Sequence, residues 1–368
     1  MANASTPVRR TTAVRMSAFE RLPIRRIILT VLSVAIAAFV IVGSYKTLTL
    51  PESEAYSWET WRDIIARGVS QGAILALIAL GYTLVYGILR MINFAHGEVF
   101  MMGAYGSFFF AEAYARSGFL NSDPVAALLI IVGVAVAVSV GVAVLLERIA
   151  YRPLRNAPRL VPLITAIGAS LFLQNTARGF FGTNTQGYPR PEVLDGTWTI
   201  LGFPMDRIRV IVLLASLISM GILQYVISRT KTGRSMRAVA EDQEIASLMG
   251  IDVNRVVVKT FIIGGILAGI AGVLFALTFE AVNYFIGFRL GIAAFTAAVL
   301  GGIGSIGGAA LGGFTLGILQ AVGPPLLLTG FNVPSPFQLE DVVTFAVLVL
   351  VLIFRPGGLL GAGGAEKV

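Results

Sequence analysis

What constrains this chain most is a series of apolar runs, each long enough to cross a lipid bilayer. A helix needs about twenty consecutive apolar residues to span the hydrocarbon core, and the first such run is Ile27 to Tyr45. Others lie near 66–88, 95–115, 124–146, 160–178, 208–228, 256–279, 288–303, 306–328 and 338–354. Apolar residues fill all faces of these runs, whereas a soluble helix shows one apolar stripe. Composition agrees: 13% of the 368 residues are charged and the mean hydropathy is +0.82, where soluble domains carry about a quarter charged residues. The expected fold is an all-α polytopic membrane protein with about ten transmembrane helices.

Basic loops set the expected orientation, because inward-facing loops retain Lys and Arg. Arg9, Arg10, Arg15, Arg21, Arg25 and Arg26 precede the first run, Arg148, Arg152, Arg155 and Arg159 form a second cluster, and Arg229, Lys231, Arg234 and Arg237 a third. All three should be cytoplasmic, and an even number of crossings puts both termini on that side. Residues 51–63, with Glu52, Glu54, Glu59 and Asp63, and residues 183–209 should face outside. The first run is too long for the apolar core of a signal peptide and reads as a retained anchor helix. The expected organisation is an arginine-rich start, anchor helix and outer loop over 1–63, a transmembrane domain over 64–355 with a cytoplasmic loop at about 229–255, and a short cytoplasmic tail over 356–368.

Several chemistries are excluded. With no cysteine there are no disulfides, thiolate metal sites or thiol nucleophiles, and the single histidine, His96, has no H-E-x-x-H or G-x-S-x-G context. No P-loop is present; the nearest stretch, Lys231 to Ser235, lacks the Gly-Lys-Ser/Thr order. The Gly302 to Gly307 stretch matches G-x-G-x-x-G but lies inside an apolar run with no acidic residue until Glu340, so it reads as glycine-rich packing. The net charge of +8 sits in short loop clusters, the pattern of inward loops and not of a nucleic-acid surface. We therefore expect no catalytic residue, no metal site, no bound cofactor and no nucleic-acid partner.

Three constellations stand out. Asn93, His96 and Glu98 form a polar knot near a helix start, where a carboxylate suits the dipole and the groups can satisfy one another; lining a transport path is the alternative, with Thr165, Ser170, Gln174 and Asn175 as further candidates. Gly265 and Gly269 give a small-x-x-x-small face for close helix contact, and Gly301, Gly302 and Gly304 interrupt 287–325, which is either two helices or a re-entrant pair, as a further packing seam. Finally, the loop from Lys231 to Val256 has helical content: Arg234, Arg237, Glu241, Asp242 and Glu244 interleave with Met236, Val239, Ala246, Leu248 and Met249, and Gly250 can close the helix. Its mixed charge favours a protein groove over a lipid surface.

At this loop the sequence resembles ABC importer permeases: Glu244 to Gly250 follows their E-A-A-x-x-x-G spacing, with Ile245 departing at the second position. Gly81-Tyr82-Thr83-Leu84-Val85-Tyr86-Gly87, Met91 through Glu98 and Glu147 through Pro153 resemble the branched-chain amino-acid permease family in particular, and the similarity runs from about Ile64 onward. The resemblance implies a subunit without its own ATPase, working in the inner membrane beside a second permease subunit, related or identical, two cytoplasmic ATP-binding subunits that use ATP, and a periplasmic binding protein. It implies coupling to the ATPase through Arg237, Glu241, Asp242, Glu244, Ala246 and Gly250. The solute would be a branched-chain or related amino acid, with urea or an amide as an alternative; a stand-alone ion-coupled carrier and an intramembrane enzyme are the other readings. The first sixty or so residues look like an addition to the family core.

Overall fold

The computed structural model describes residues 24–51, 54–155, 157–158, 160–200, 203–355 and 357–360. Arg9, Arg10, Arg15, Arg21, Glu52, Arg159 and most of the 356–368 tail lie outside these described residues. The chain divides into two units, one of residues 1–55 with Leu326–Val333 and one of Tyr56–Pro325 with Pro334–Val368.

In the first unit, α1 (Ile24–Leu48) is apolar on every face, and few of its residues are buried. One seam is covered. Phe39 stacks on Phe331 at 6.1 Å, the Lys46 ammonium stands 4.5 Å over the same ring, and the Gly330 amide donates to Thr47 Oγ1 at 2.9 Å.

The second unit is built around α2 (Trp58–Leu89), which starts six residues before the expected domain edge because the Ser57 hydroxyl caps it by accepting from the Thr60 amide. At 1.5 Å per residue α2 is about 48 Å long, and Ala73 to Leu80 are almost wholly inaccessible. Around it lie α3 (His96–Arg116), the single turn α4 (Phe119–Ser122), α5 (Pro124–Leu145), α6 (Leu160–Phe181) and α7 (Arg207–Arg229). Then come the short α8 (Lys231–Glu241) and α9 (Gln243–Leu248), followed by α10 (Val253–Phe279), α11 (Ile286–Gly301), α12 (Ile306–Leu328) and α13 (Glu340–Phe354). Pro124 at the first turn of α5, with Asp123 accepting from the Ala126 amide, fixes where that helix begins. A π-helical turn, Leu146–Tyr151, continues it.

All ten expected runs are helices. Eight are long and apolar enough to cross a membrane. Of the other two, α3 is diluted by Glu98, Glu112 and Arg116, and α11 has only 16 residues, about 24 Å at 1.5 Å per residue. Within 287–325 the chain makes two helices, with Gly302 (φ 107°) and Gly304 (φ 95°) between them. These two glycines are turn residues and not part of a helix face, a correction to the expectation: only a residue without Cβ adopts such angles without strain, although the backbone of Gly302 does lie close against Gly358. Gly301 does meet a helix, its α-carbon facing the Gly308 carbonyl.

Between α6 and α7, β1 (Gln186–Gly187), the hairpin of β2 (Thr197–Ile200) with β3 (Phe203–Asp206), and β4 (Ala281–Val282) after α10 make small antiparallel pairs, β1 with β4 and β2 with β3. Arg190 staples this loop, pairing with Asp195 and with Glu280 at 2.9 Å. Burial raises the pKa of the Tyr188 phenol, which stays neutral and shares a 3.0 Å hydrogen bond with Ser107 Oγ. Beyond α13 the chain folds back, the Leu359 and Leu360 amides donating to the Leu300 and Gly301 carbonyls at 2.7 and 2.9 Å.

Candidate functional site

The three polar residues near the start of α3 do not satisfy one another. Residues two apart on a helix point to different sides, so His96 and Glu98 diverge. Glu98, fully buried, turns to α6, where its Oε1 accepts from Ser170 Oγ and Gln174 Nε2, both at 3.1 Å. Its Oε2 has no partner among the described residues and faces Gly287 of α11. His96 turns to α2 and α10: it meets the Tyr82 ring edge-on at 5.0 Å and fills the space left by Gly81 and Gly264. Asn93 Oδ1 accepts from the Tyr151 hydroxyl.

The knot is thus three separate anchors: Glu98 and His96 tie α3 to α6 and to α2 and α10, and Asn93 ties the segment before α3 to the π-helical turn. Asn175 takes no part: one residue beyond Gln174, it is exposed and its amide returns to the Leu171 carbonyl at 2.8 Å. Thr165 likewise bonds back to Val161. Among the described residues no group of three or more His, Cys, Asp or Glu is placed to hold a metal.

Gly265 and Gly269 of α10 lie against α5, where an added Cβ would stand 2.9 Å from Val140 Cα and 2.8 Å from Val136 Cα. Each is a point of backbone-to-backbone approach.

Sequence reasoning missed a buried ion pair. Glu147, inaccessible within the π-helical turn, pairs with Arg155, which also donates to Asn254 Oδ1 at 2.6 Å, in the first turn of α10. The available signal was Glu147 itself, a single acidic residue at the end of an apolar run and eight residues before Arg155.

The Lys231 to Val256 loop forms a two-helix hairpin. Thr230 caps α8 by accepting from the Gly233 amide, and Met236 and Val239 bury its apolar side. Arg237 donates to the Ile227 carbonyl, while Glu241 is exposed. Asp242 caps α9 by accepting from the Glu244 and Ile245 amides at 2.8 and 2.9 Å, and Glu244 projects to the surface. Ala246 is buried beneath, and Gly250 (φ 81°) stops the helix in the left-handed region that disfavours side chains. The Gln243 amide donates to the Ile88 carbonyl at 2.9 Å, and Arg90 to the Ala240 carbonyl at 3.2 Å. Beside these exposed charges, apolar side chains are open too: Ile245, Leu248 and Met249 are 61%, 87% and 78% exposed.

The chain is similar to known proteins over most of its length. Residues 64–352 match the family model described as the branched-chain amino acid transport system permease component. The chain is 42% identical over 306 residues to the high-affinity branched-chain amino acid transport system permease protein LivH of Salmonella typhimurium, covering 82% of this chain and 96% of that one. It is equally identical over 309 residues to BraD of Pseudomonas aeruginosa, covering 83% and 97%. LivH of Escherichia coli strain K12 matches at 42% over 306 residues, covering 82% and 96%. With its helical spans and a family match over more than half its length, the chain belongs to the branched-chain amino acid transport system permease family.

Proposed function

We propose that this chain is the permease subunit of an ATP-driven ABC importer that carries branched-chain, or closely related, amino acids across the bacterial inner membrane. The observation that carries this reading is the α8–α9 hairpin. It leaves three apolar side chains exposed, yet is bonded to the end of α2. An exposed apolar patch flanked by charges of both signs suits a groove on another protein.

In this reading ATP is bound and hydrolysed by two separate cytoplasmic subunits, and the permease chain binds no cofactor and catalyses no reaction. A second permease chain, related or identical, completes the pathway, and a periplasmic binding protein delivers the solute. The hairpin and both termini face the cytoplasm, following the basic loops. Arg237, Asp242 and Gly250 shape the hairpin, Ala246 seats α9 on the bundle, and Glu241 and Glu244 meet the partner. Asn93, His96, Glu98 and Gln174 anchor the bundle through which the hairpin's displacement is passed on. A nucleotide-driven partner biases such a bundle between two openings by binding one better than the other.

The test is the assembled transporter in proteoliposomes with Glu244→Arg and Gly250→Pro combined. ATP hydrolysis should persist while uptake of leucine, isoleucine and valine is lost. Unimpaired ATP-coupled uptake by the variant, or uptake by the purified wild-type chain under an ion gradient without ATP, overturns the reading.

A further inference from the structure

At the end of the bundle opposite the α8–α9 hairpin lies a cavity of about 410 Å³, within the range of small-molecule sites. Its walls are the stretch of α2 from Arg67 to Gln71, the stapled loop before α7, the start of α7 and the last turn of α10.

Its charges are unequal in a telling way. Arg190 is neutralised by Asp195 and Glu280, and Arg209 by Asp206 at 2.9 Å. Arg67 also lines the cavity and has no ion pair among the described residues, only the Phe337 ring at 5.9 Å. One helical turn on, Ser70 is 3% exposed and its hydroxyl has no hydrogen-bond partner among the described residues. An orphaned hydroxyl costs about what a lost hydrogen bond does unless something supplies a partner. Ile208 and Phe279 give apolar wall, and Asp206 is partly open beside Arg209 with acceptor capacity to spare.

We propose that this cavity receives the transported amino acid itself. Arg67 binds its carboxylate, Ser70 completes the hydrogen bonding at the floor, Asp206 accepts from its ammonium, and Ile208 and Phe279 cover its aliphatic side chain. The proposal rests on the importer reading above and extends it to a site on the permease chain. An acidic loop of a delivering protein could meet Arg67 at the rim, but Ser70 is enclosed and is met by a solute of small size.

The chain has no cysteine, so Thr197→Cys, on the exposed rim of the cavity, places a thiol on it alone. In the assembled transporter, millimolar L-leucine should slow alkylation of this thiol by a charged maleimide several-fold. Isoamylamine, which is leucine without its carboxylate, should not. Adding Arg67→Gln should raise the leucine concentration for half-protection about tenfold, the loss of one charge-assisted hydrogen bond. Thr278→Cys on the facing wall gives the same readout should the first variant fail to assemble.

No protection by leucine, equal protection by isoamylamine, an unchanged half-protection in Arg67→Gln, or protection by solute-free binding protein in place of leucine overturns the proposal. ATP-driven leucine uptake by the same vesicles separates the two readings: uptake without protection removes this site alone, and protection without ATP-driven uptake removes the importer reading and leaves the site.

Discussion

Two helices of the second unit, α2 and α13, have nearly the same apolar character, yet 83% of the most apolar window of α2 is buried and only 6% of that around α13. Hydropathy therefore separates water from not-water and says nothing about lipid against protein. What differs is side-chain size. In α2, Gly68, Gly72, Ala73, Ala76, Ala79 and Gly81 recur, and each glycine named meets a neighbouring residue directly. In α13, Val342, Phe345, Val349 and Leu352 form a bulky surface open to lipid. Small residues let backbones approach, and approach makes a helix central.

The largest expected break in this contrast is Gly72→Leu. Even a Cβ there would stand 2.8 Å from Phe314 Cα of α12, so the helices must part at about 3 kcal/mol or more. The variant should lose its monodisperse peak in detergent at temperatures the parent survives. A folded peak as thermostable as the parent's removes the packing argument.

Gly81→Ala should cost less, about 1–2 kcal/mol, because the obstacle is the His96 ring and not backbone. Trimming that ring should recover part of the loss, so a double-mutant cycle of Gly81→Ala with His96→Ala is expected to show favourable coupling; strict additivity counts against the contact. The smallest effect belongs to Val349→Ala on α13, within about 0.5 kcal/mol of the parent. A melting shift as large as that of Gly81→Ala would show α13 to be buried in the working assembly.

The contrast also explains what could be read in advance. Lipid imposes an apolar run on every crossing helix, so the ten helices fall close to where the runs are, and Gly250 and the capping residues mark the ends of the α8–α9 hairpin. Run length does not reveal neighbours. Gly302 and Gly304 look like Gly265 and Gly269 in composition, but one pair turns the chain and the other seats a helix. Gln174 and Asn175 are adjacent in sequence, yet one residue of helical rotation sends the first to Glu98 and the second to the surface. The Glu147 and Arg155 pair stayed hidden because basic residues after a span read as loop charge, whereas Arg155 reaches back to a carboxylate inside it.

The return of the chain at Leu359 and Leu360 has a practical side. Helix α11 ends with carbonyls that no further turn can satisfy, and these two amides occupy the last of them. Reporter fusions are therefore best spliced after residue 360, since a truncation that trims the preceding glycine pair or the two leucines strips the terminal turn of α11 of its closing hydrogen bonds.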